Sequence, residues 1–409
     1  MRRVSLSMLG VMLLSALLSA CTGVQPVAPA ATGPQTYTLG IVLPFTGPLG
    51  SFGTDFGKGV ELAVEQMNQE LEQAGAAVRF QTASADTEGT PDGAARAVQT
   101  VAQSSGAKVI VGPLSTSEVL GAKQYADDNQ VVIVAPASSA PAGAIPDDYI
   151  FRVMYPPDVY AGQAFAEIAI QRGYQNIAVL AVDDPFGNGM ADVFAQKFTG
   201  EGGQEVVVIK YAPDPADLSG EAAKVSSEIE RLKGGGSTAF FLIGFLGDAQ
   251  KLLQQAVTDA NLGSVPWLGV ENLVNPEILG DPSHAQLLAS VGLTSVSFAD
   301  QQNPNSQPFK DSFQAKFGTE PGPFTNYAYD AANIAMLSML AAGNDGTAVK
   351  SILPFISNHY IGTAFQAYLD ENGDQAIVYY TIFRLNDEGT EFVPIGNYDG
   401  ASGQVTLEE

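Results

Sequence analysis

Cysteine is almost absent from this chain: 409 residues contain one, Cys21. No disulfide can close within a single chain, so stability has to come from the core alone. Histidine is nearly as scarce. Of the two present, His284 and His359, neither sits in a metal-ligand spacing such as HExxH. A Ser-His-Asp arrangement would need one of them, and the chain has no GxSxG turn. Bases are few, 19 Lys and Arg against 44 Asp and Glu, for a formal net charge of −25. That balance excludes nucleic acid as a partner, because a basic face supplies most of such affinity. Residues 53–59 (GTDFGKG) fall one position short of a phosphate-binding GxxxxGK[ST] loop and end in glycine where a hydroxyl belongs. No catalytic residue, metal or cofactor is therefore expected, and the chain is not read as an enzyme.

Beyond the N-terminal run, no apolar stretch is long enough to cross a bilayer. The N-terminal run itself has a secretory layout. Arg2 and Arg3 precede an apolar segment, residues 4–18, and small residues then lead into Cys21. The LSAC tetrad resembles the bacterial lipobox, whose cysteine is lipid-modified and becomes the first residue of the mature protein. The plain alternative is an apolar leader with an accidental cysteine. On the lipobox reading, residues 1–21 are a lipoprotein signal peptide and Cys21 is the lipidation site. Residues 22–36 (TGVQPVAPAATGPQT) are rich in Pro, Ala, Thr and Gly without an apolar period, and read as a flexible linker.

The remainder is long enough for two domains with sizeable cores. Short β-branched runs at 39–44, 78–81, 109–111, 131–134, 177–182, 206–209, 239–243 and 291–293 alternate with amphipathic stretches such as 57–74, 94–104, 163–172 and 249–260. Such alternation predicts an α/β fold with parallel sheets, and runs apolar at nearly every position predict strands covered on both faces. The strands are too many for one compact sheet, so two Rossmann-like lobes are the economical reading. The character of the chain breaks near 156–158, where Asp158 is expected to cap the first helix of the second group. Residues 298–307 read as a loop, 324–340 and 348–356 as helices, 376–385 as a strand and 391–394 as a possible short one.

Open parallel sheets bind ligands outside the carboxyl ends of their strands. The loops at 46–52, 113–117, 135–140 and 183–187 are therefore the places to search. Hydroxyls at 115–117 either cap the following helix or help its free N–H groups hold a carboxylate. The loop at 135–139 offers a second anion-friendly turn at the same sheet edge. Phe52, Phe186 and Phe245 follow strands in both halves and either belong to the cores or enclose an apolar group. Glu271, after WLGV, is either a solvated loop carboxylate or the partner of an ammonium.

Residues 39–68 (LGIVLPFTGPLGSFGTDFGKGVELAVEQMN) resemble the opening of type I periplasmic binding proteins of the branched-chain amino-acid class. Further matches are VGPLSTSEV, APASSAP, FRVMYPPD followed by AGQAFA, VDDPFGNGM, WLGVEN and PFTNYAYDAANIA, together covering roughly residues 37 to 395. The resemblance implies two lobes joined by three hinge crossings that close on a small ligand. It places lobe 1 at 37–157 plus 294–376, and lobe 2 at 158–293 plus 377–409. It implies that Thr116 holds the ligand carboxylate through its hydroxyl and backbone N–H, that Ala137 and Ser139 on the next loop contact the ligand through backbone and hydroxyl respectively, that Phe52, Phe186 and Phe245 flank its side chain, and that Glu271 holds its ammonium. Asp158 matches an acid at the hinge side of the cleft, although residues 151–158 run one residue longer than the pattern. Two departures matter. The aromatic walls are Phe where the branched-chain binders have Tyr, and the disulfide of some relatives is missing, its positions falling near Thr87 and Ser115. The implied role is a monomeric, lipid-anchored, extracytoplasmic substrate-binding component of an ABC importer. It would deliver an aliphatic amino acid to a permease and its ATPase. An amide, a urea-like or aromatic-acid ligand, or sensing in trans, is the alternative.

Overall fold

The computed structural model describes residues 35–298, 303–364 and 366–408. The leader, Cys21 and the linker lie outside the described residues, except for the linker's last two positions. Those two, Gln35 and Thr36, open the first strand, so the linker ends two residues earlier than its composition suggests. No described helix is long and apolar enough to cross a membrane.

Two sheets organise the chain. The smaller has the order β2-β1-β3-β4-β5, built from β1 (Gln35–Leu43), β2 (Val78–Asp86), β3 (Val109–Val111), β4 (Val132–Ala135) and β5 (Ile150–Arg152). The ladders joining β1, β3, β4 and β5 are parallel. Three helices connect its strands: α1 (Gly50–Gln73), α2 (Pro91–Ser105) and α3 (Thr116–Asn129). VIV in β3 and VIVA in β4 are buried at every position because cores form on both sides. One core holds Leu39, Val109, Val111 and Val132 against α1; the other holds Ile110, Ile133, Val98 and Val119 against α2 and α3.

After α4 (Asp158–Gln171) the chain builds the larger sheet, in the order β13-β12-β11-β10-β9-β8-β6-β7. Its elements are β6 (Asn176–Val182), α5 (Pro185–Gly200), β7 (Glu205–Tyr211), α6 (Ser219–Lys233), β8 (Thr238–Ile243), α7 (Leu246–Ala256), β9 (Trp267–Gly269), α8 (Pro282–Ser290) and β10 (Thr294–Phe298). The pairings among β6 to β10 are parallel. Three helices then follow, α9 (Ser306–Phe317), α10 (Thr325–Ala342) and α11 (Gly346–Asn358). Of these α10 packs on α1, β3 and β4 of the smaller sheet. The chain finally returns to the larger sheet as an antiparallel meander of β11 (Tyr379–Leu385), β12 (Phe392–Asp399) and β13 (Gln404–Leu407).

Several expectations are corrected. The run 291–293 precedes its strand: Val291 caps α8, and the ladder begins at Thr294. Because β10 pairs with β9 and β11 in the larger sheet, the passage back toward the smaller one lies after Phe298 rather than at 294. The stretch read as a loop at 298–307 already contains the start of α9 at Ser306. Asp158 is not a cap. It is the first residue of α4, whose preceding residue, Pro157, makes no side-chain cap either. The antiparallel meander was only half legible, since β13 alternates over just four residues.

Candidate functional site

The carboxyl ends of both sheets open onto one cleft. Strand order reverses beside β1 in the smaller sheet and beside β6 in the larger, so the connections diverge there and leave a crevice. Lining residues come from both sides: Leu49, Phe52, Leu114, Ser115, Thr116, Ala137 and Ser139 after β1, β3 and β4, and Phe186, Phe245, Glu271 and Asn272 after β6, β8 and β9. The cleft holds about 570 Å³ counting its open mouth.

On the smaller-sheet side the chain is pinned. Gly112 ends β3 with φ +95, and a Cβ there would lie 1.9 Å from the Val42 carbonyl oxygen. Only glycine lets this turn pass so close to β1. Ser115 then caps α3 in a capping box with Glu118: Ser115 N donates to Glu118 Oε2 at 2.9 Å, and Glu118 N donates to Ser115 Oγ at 3.4 Å. Thr116 Oγ1 accepts from Ser139 N at 3.1 Å and Ala140 N at 3.0 Å, and lies 2.9 Å from Ser138 Oγ. Its hydroxyl thus holds the two anion-friendly loops together. Ser139 Oγ is also engaged, donating to Asp158 Oδ2 at 3.0 Å. What this wall can offer a carboxylate is the first-turn N–H groups of α3, which have no intrahelical acceptor.

The same turn shows what joins Thr87 and Ser115. Thr87 Oγ1 donates to Glu118 Oε1, and Ser115 Oγ donates to Glu118 Oε2 at 2.6 Å. A buried carboxylate therefore bridges Thr87 and Ser115 non-covalently, and burial pushes its pKa up.

The larger-sheet side is less satisfied. Phe186 lies in the first turn of α5, entered at Asp184, whose Oδ1 accepts from Gly187 N at 2.8 Å. Phe245 stacks on Phe186 with centroids 5.4 Å apart and packs against the hydrophobic cores of both sheets. Glu271 opens a short 3₁₀ turn after β9 and is 3% exposed. Its Oε1 accepts from the Tyr155 hydroxyl, while its Oε2 is buried without a hydrogen-bond partner. Burial raises its pKa.

Asp158 does not line the cleft; it lies behind Ser139, 1% exposed. Burial first, and then the charge of Glu271, raises its pKa well above the carboxylate range. Burial thus favours the neutral form of both acids. Arg152 is the cation behind this wall. It is committed to Asp374 through Nε (2.6 Å) and Nη2, and Nη1 donates to the Ala140 carbonyl at 2.7 Å.

Seven of the eight residues proposed from the sequence therefore line one cleft, and Asp158 supports it from behind. The same wall includes Tyr155, Asn272 and Phe324, which the sequence reading did not single out. Tyr155 follows β5, in the segment that leads to Asp158. Asn272 adjoins Glu271. Phe324 had no signal, since it holds φ +62 ahead of α10, a conformation nothing marks for a phenylalanine.

A sequence profile of the Periplasmic binding protein family matches residues 36–390. Among curated relatives, the Leu/Ile/Val-binding protein homolog 3 of Brucella melitensis is 26% identical over 380 residues, covering 91% of this chain and 97% of the relative. Among solved structures, the Streptococcus pneumoniae branched-chain amino acid transporter substrate binding protein LivJ in complex with isoleucine has a TM-score of 0.71 at 19% identity, covering 88% of this chain and 100% of that one. An R. palustris ABC transporter solute binding protein in complex with benzoate has a TM-score of 0.72, also at 19% identity, covering 91% and 98%.

Proposed function

This chain belongs to the periplasmic binding protein family, and on that premise we propose that it is the extracytoplasmic substrate-binding component of an ABC importer, capturing an α-amino acid with an aliphatic side chain. The observation that carries this reading is Glu271 Oε2, a buried carboxylate oxygen in the cleft with no partner of its own. An acceptor left unpaired in a dry site is costly, and a ligand ammonium would relieve it. Opposite it, the α3 N-terminus suits the ligand carboxylate, and Phe52, Phe186 and Phe245 suit an apolar side chain. In this reading the open protein takes the ligand first on the Thr116–Ser139 side. Closure then brings Phe186, Phe245 and Glu271 over it, stabilised only by the ligand's preference for the closed state. No bond is made or broken. Cys21 would carry the lipid, the linker would set reach, and the loaded monomer would dock on a permease served by an ATPase.

A thermal-shift panel of amino acids, amides and aromatic acids tests the reading, because a ligand bound only by the folded state raises the melting temperature with its concentration. Shifts with leucine, isoleucine or valine are expected. Shifts confined to ligands without an amino group would overturn the role of Glu271 and favour an aromatic acid. Phe at 52, 186 and 245 and the benzoate-bound neighbour make that the second reading. For the anchor, Cys21→Ala should release the protein from membranes into the soluble fraction, and membrane retention would reject lipidation at that residue.

A further inference from the structure

We infer that Asn272 is a second acceptor for the ligand ammonium, and the residue that restricts this cleft to amines still carrying at least two N–H groups. The inference rests on the amino-acid reading above and adds a selectivity that Glu271 alone does not provide. Among the described residues, six carry buried side-chain polar atoms without a partner, and two of those six line the cleft: Glu271, through Oε2, and Asn272, through Oδ1. They are consecutive in the same 3₁₀ turn, Glu271–Leu273. That turn is held firmly: Leu273 N donates to the Val270 carbonyl at 2.9 Å, Val274 N to the Glu271 carbonyl at 3.1 Å, and Ser295 Oγ to the Val270 carbonyl at 3.1 Å. Tyr155 fixes the Glu271 carboxyl by occupying Oε1.

Asn272 Oδ1, by contrast, has no hydrogen-bond partner among the described residues. An amide oxygen buried without a partner costs free energy unless something else fills it. A protonated primary amine has three N–H groups and can satisfy Glu271 Oε2 and Asn272 Oδ1 together. A dimethylated amine has one, and must leave one acceptor unpaired. Glu271 supplies attraction for positive charge of any substitution, whereas Asn272 supplies discrimination by the number of N–H groups. A site built to hydrogen-bond a donor rejects an analogue lacking it, because the site's own polar group is then stranded.

The test is calorimetric titration of the whole protein with leucine, isoleucine, valine and N,N-dimethylleucine, repeated in Asn272→Leu, Asn272→Ala and Asn272→Asp. The expected result is roughly tenfold weaker leucine binding in Asn272→Leu and Asn272→Ala, as for loss of one hydrogen bond to a charged group. The preference for leucine over the dimethyl compound should shrink by a similar factor. Asn272→Asp retains an acceptor and should retain the preference. A preference unchanged in both Asn272→Leu and Asn272→Ala overturns this inference while leaving the amino-acid reading intact. Failure of the unaltered protein to bind any of the three branched amino acids overturns both. Should Asn272→Leu fail to fold, Asn272→Ala decides by the same ratio.

Discussion

The two walls of the cleft differ in how completely they are finished. On the smaller-sheet side every hydroxyl is spent inside the protein: Thr116 on Ser139 and Ala140, Ser139 on Asp158, Ser115 on Glu118. On the larger-sheet side two acceptors are buried without partners, and two phenyl rings stack on each other. A wall whose bonds are already made keeps its shape whether or not a ligand is present. A wall with stranded acceptors has something to gain from a ligand. On the proposed reading, one side would supply shape and carboxylate recognition, and the other charge recognition.

Substitutions should therefore separate stability from affinity according to the wall they touch. The largest effect on affinity is expected for Glu271→Ala. It leaves the ligand ammonium without a carboxylate in the closed cleft, at a cost of about 2–5 kcal/mol measured by calorimetry, while the melting temperature of the empty protein changes little or rises. Affinity unchanged in that variant would remove the distinction between the walls. Next comes Thr116→Val, which strands the N–H groups of Ser139 and Ala140. Urea unfolding should show a loss of about 1–3 kcal/mol in the empty protein, whereas a purely ligand-facing hydroxyl would cost affinity and leave stability alone.

Smaller and more general is an opposition in pH dependence. Burial raises the carboxyl of Asp330 to about 7, even though it accepts from Tyr360, Thr363 N and Thr363 Oγ1. Its folded-state value lies above the unfolded one, so the folded protein binds the proton more tightly. Stability should then rise as pH falls from about 7 toward the ordinary carboxylate range near 4. Raised values at Glu118, Asp158 and Glu271 act in the same direction. Amino-acid affinity should move the other way, weakening on acidification as Glu271 takes up the proton that the ammonium has to displace. Melting curves and titrations over one pH series check both trends, and parallel trends would detach Glu271 from the ammonium.

How far these features were legible in the sequence depended on the range of the interactions behind them. Buried strands such as VIV in β3 and VIVA in β4 announce themselves through uninterrupted apolar runs, and the loops after them follow from the parallel-sheet rule. Phe186 and Glu271 could be found in this way because each sits directly behind such a run. The sheet to which 294–298 belongs could not, since that depends on pairing with β11, far along the chain. Nor could the engagement of Asp158 with Ser139, because a residue at a helix start looks like a cap until its neighbour in space is known.

The sequence alone determined that this chain is acidic, nearly without cysteine and histidine, and patterned for parallel α/β layers with chemistry concentrated after the strands. Those properties are local: charge, residue type and periodicity need no partner to be read. Tertiary structure decided which polar groups are used up and which are left over. Thr116 and Asn272 are both polar residues on post-strand turns, yet the Thr116 hydroxyl is engaged and the Asn272 amide oxygen has no partner among the described residues. Hydrogen-bond satisfaction is settled between segments distant in sequence, so only the folded chain shows where a ligand has something to complete.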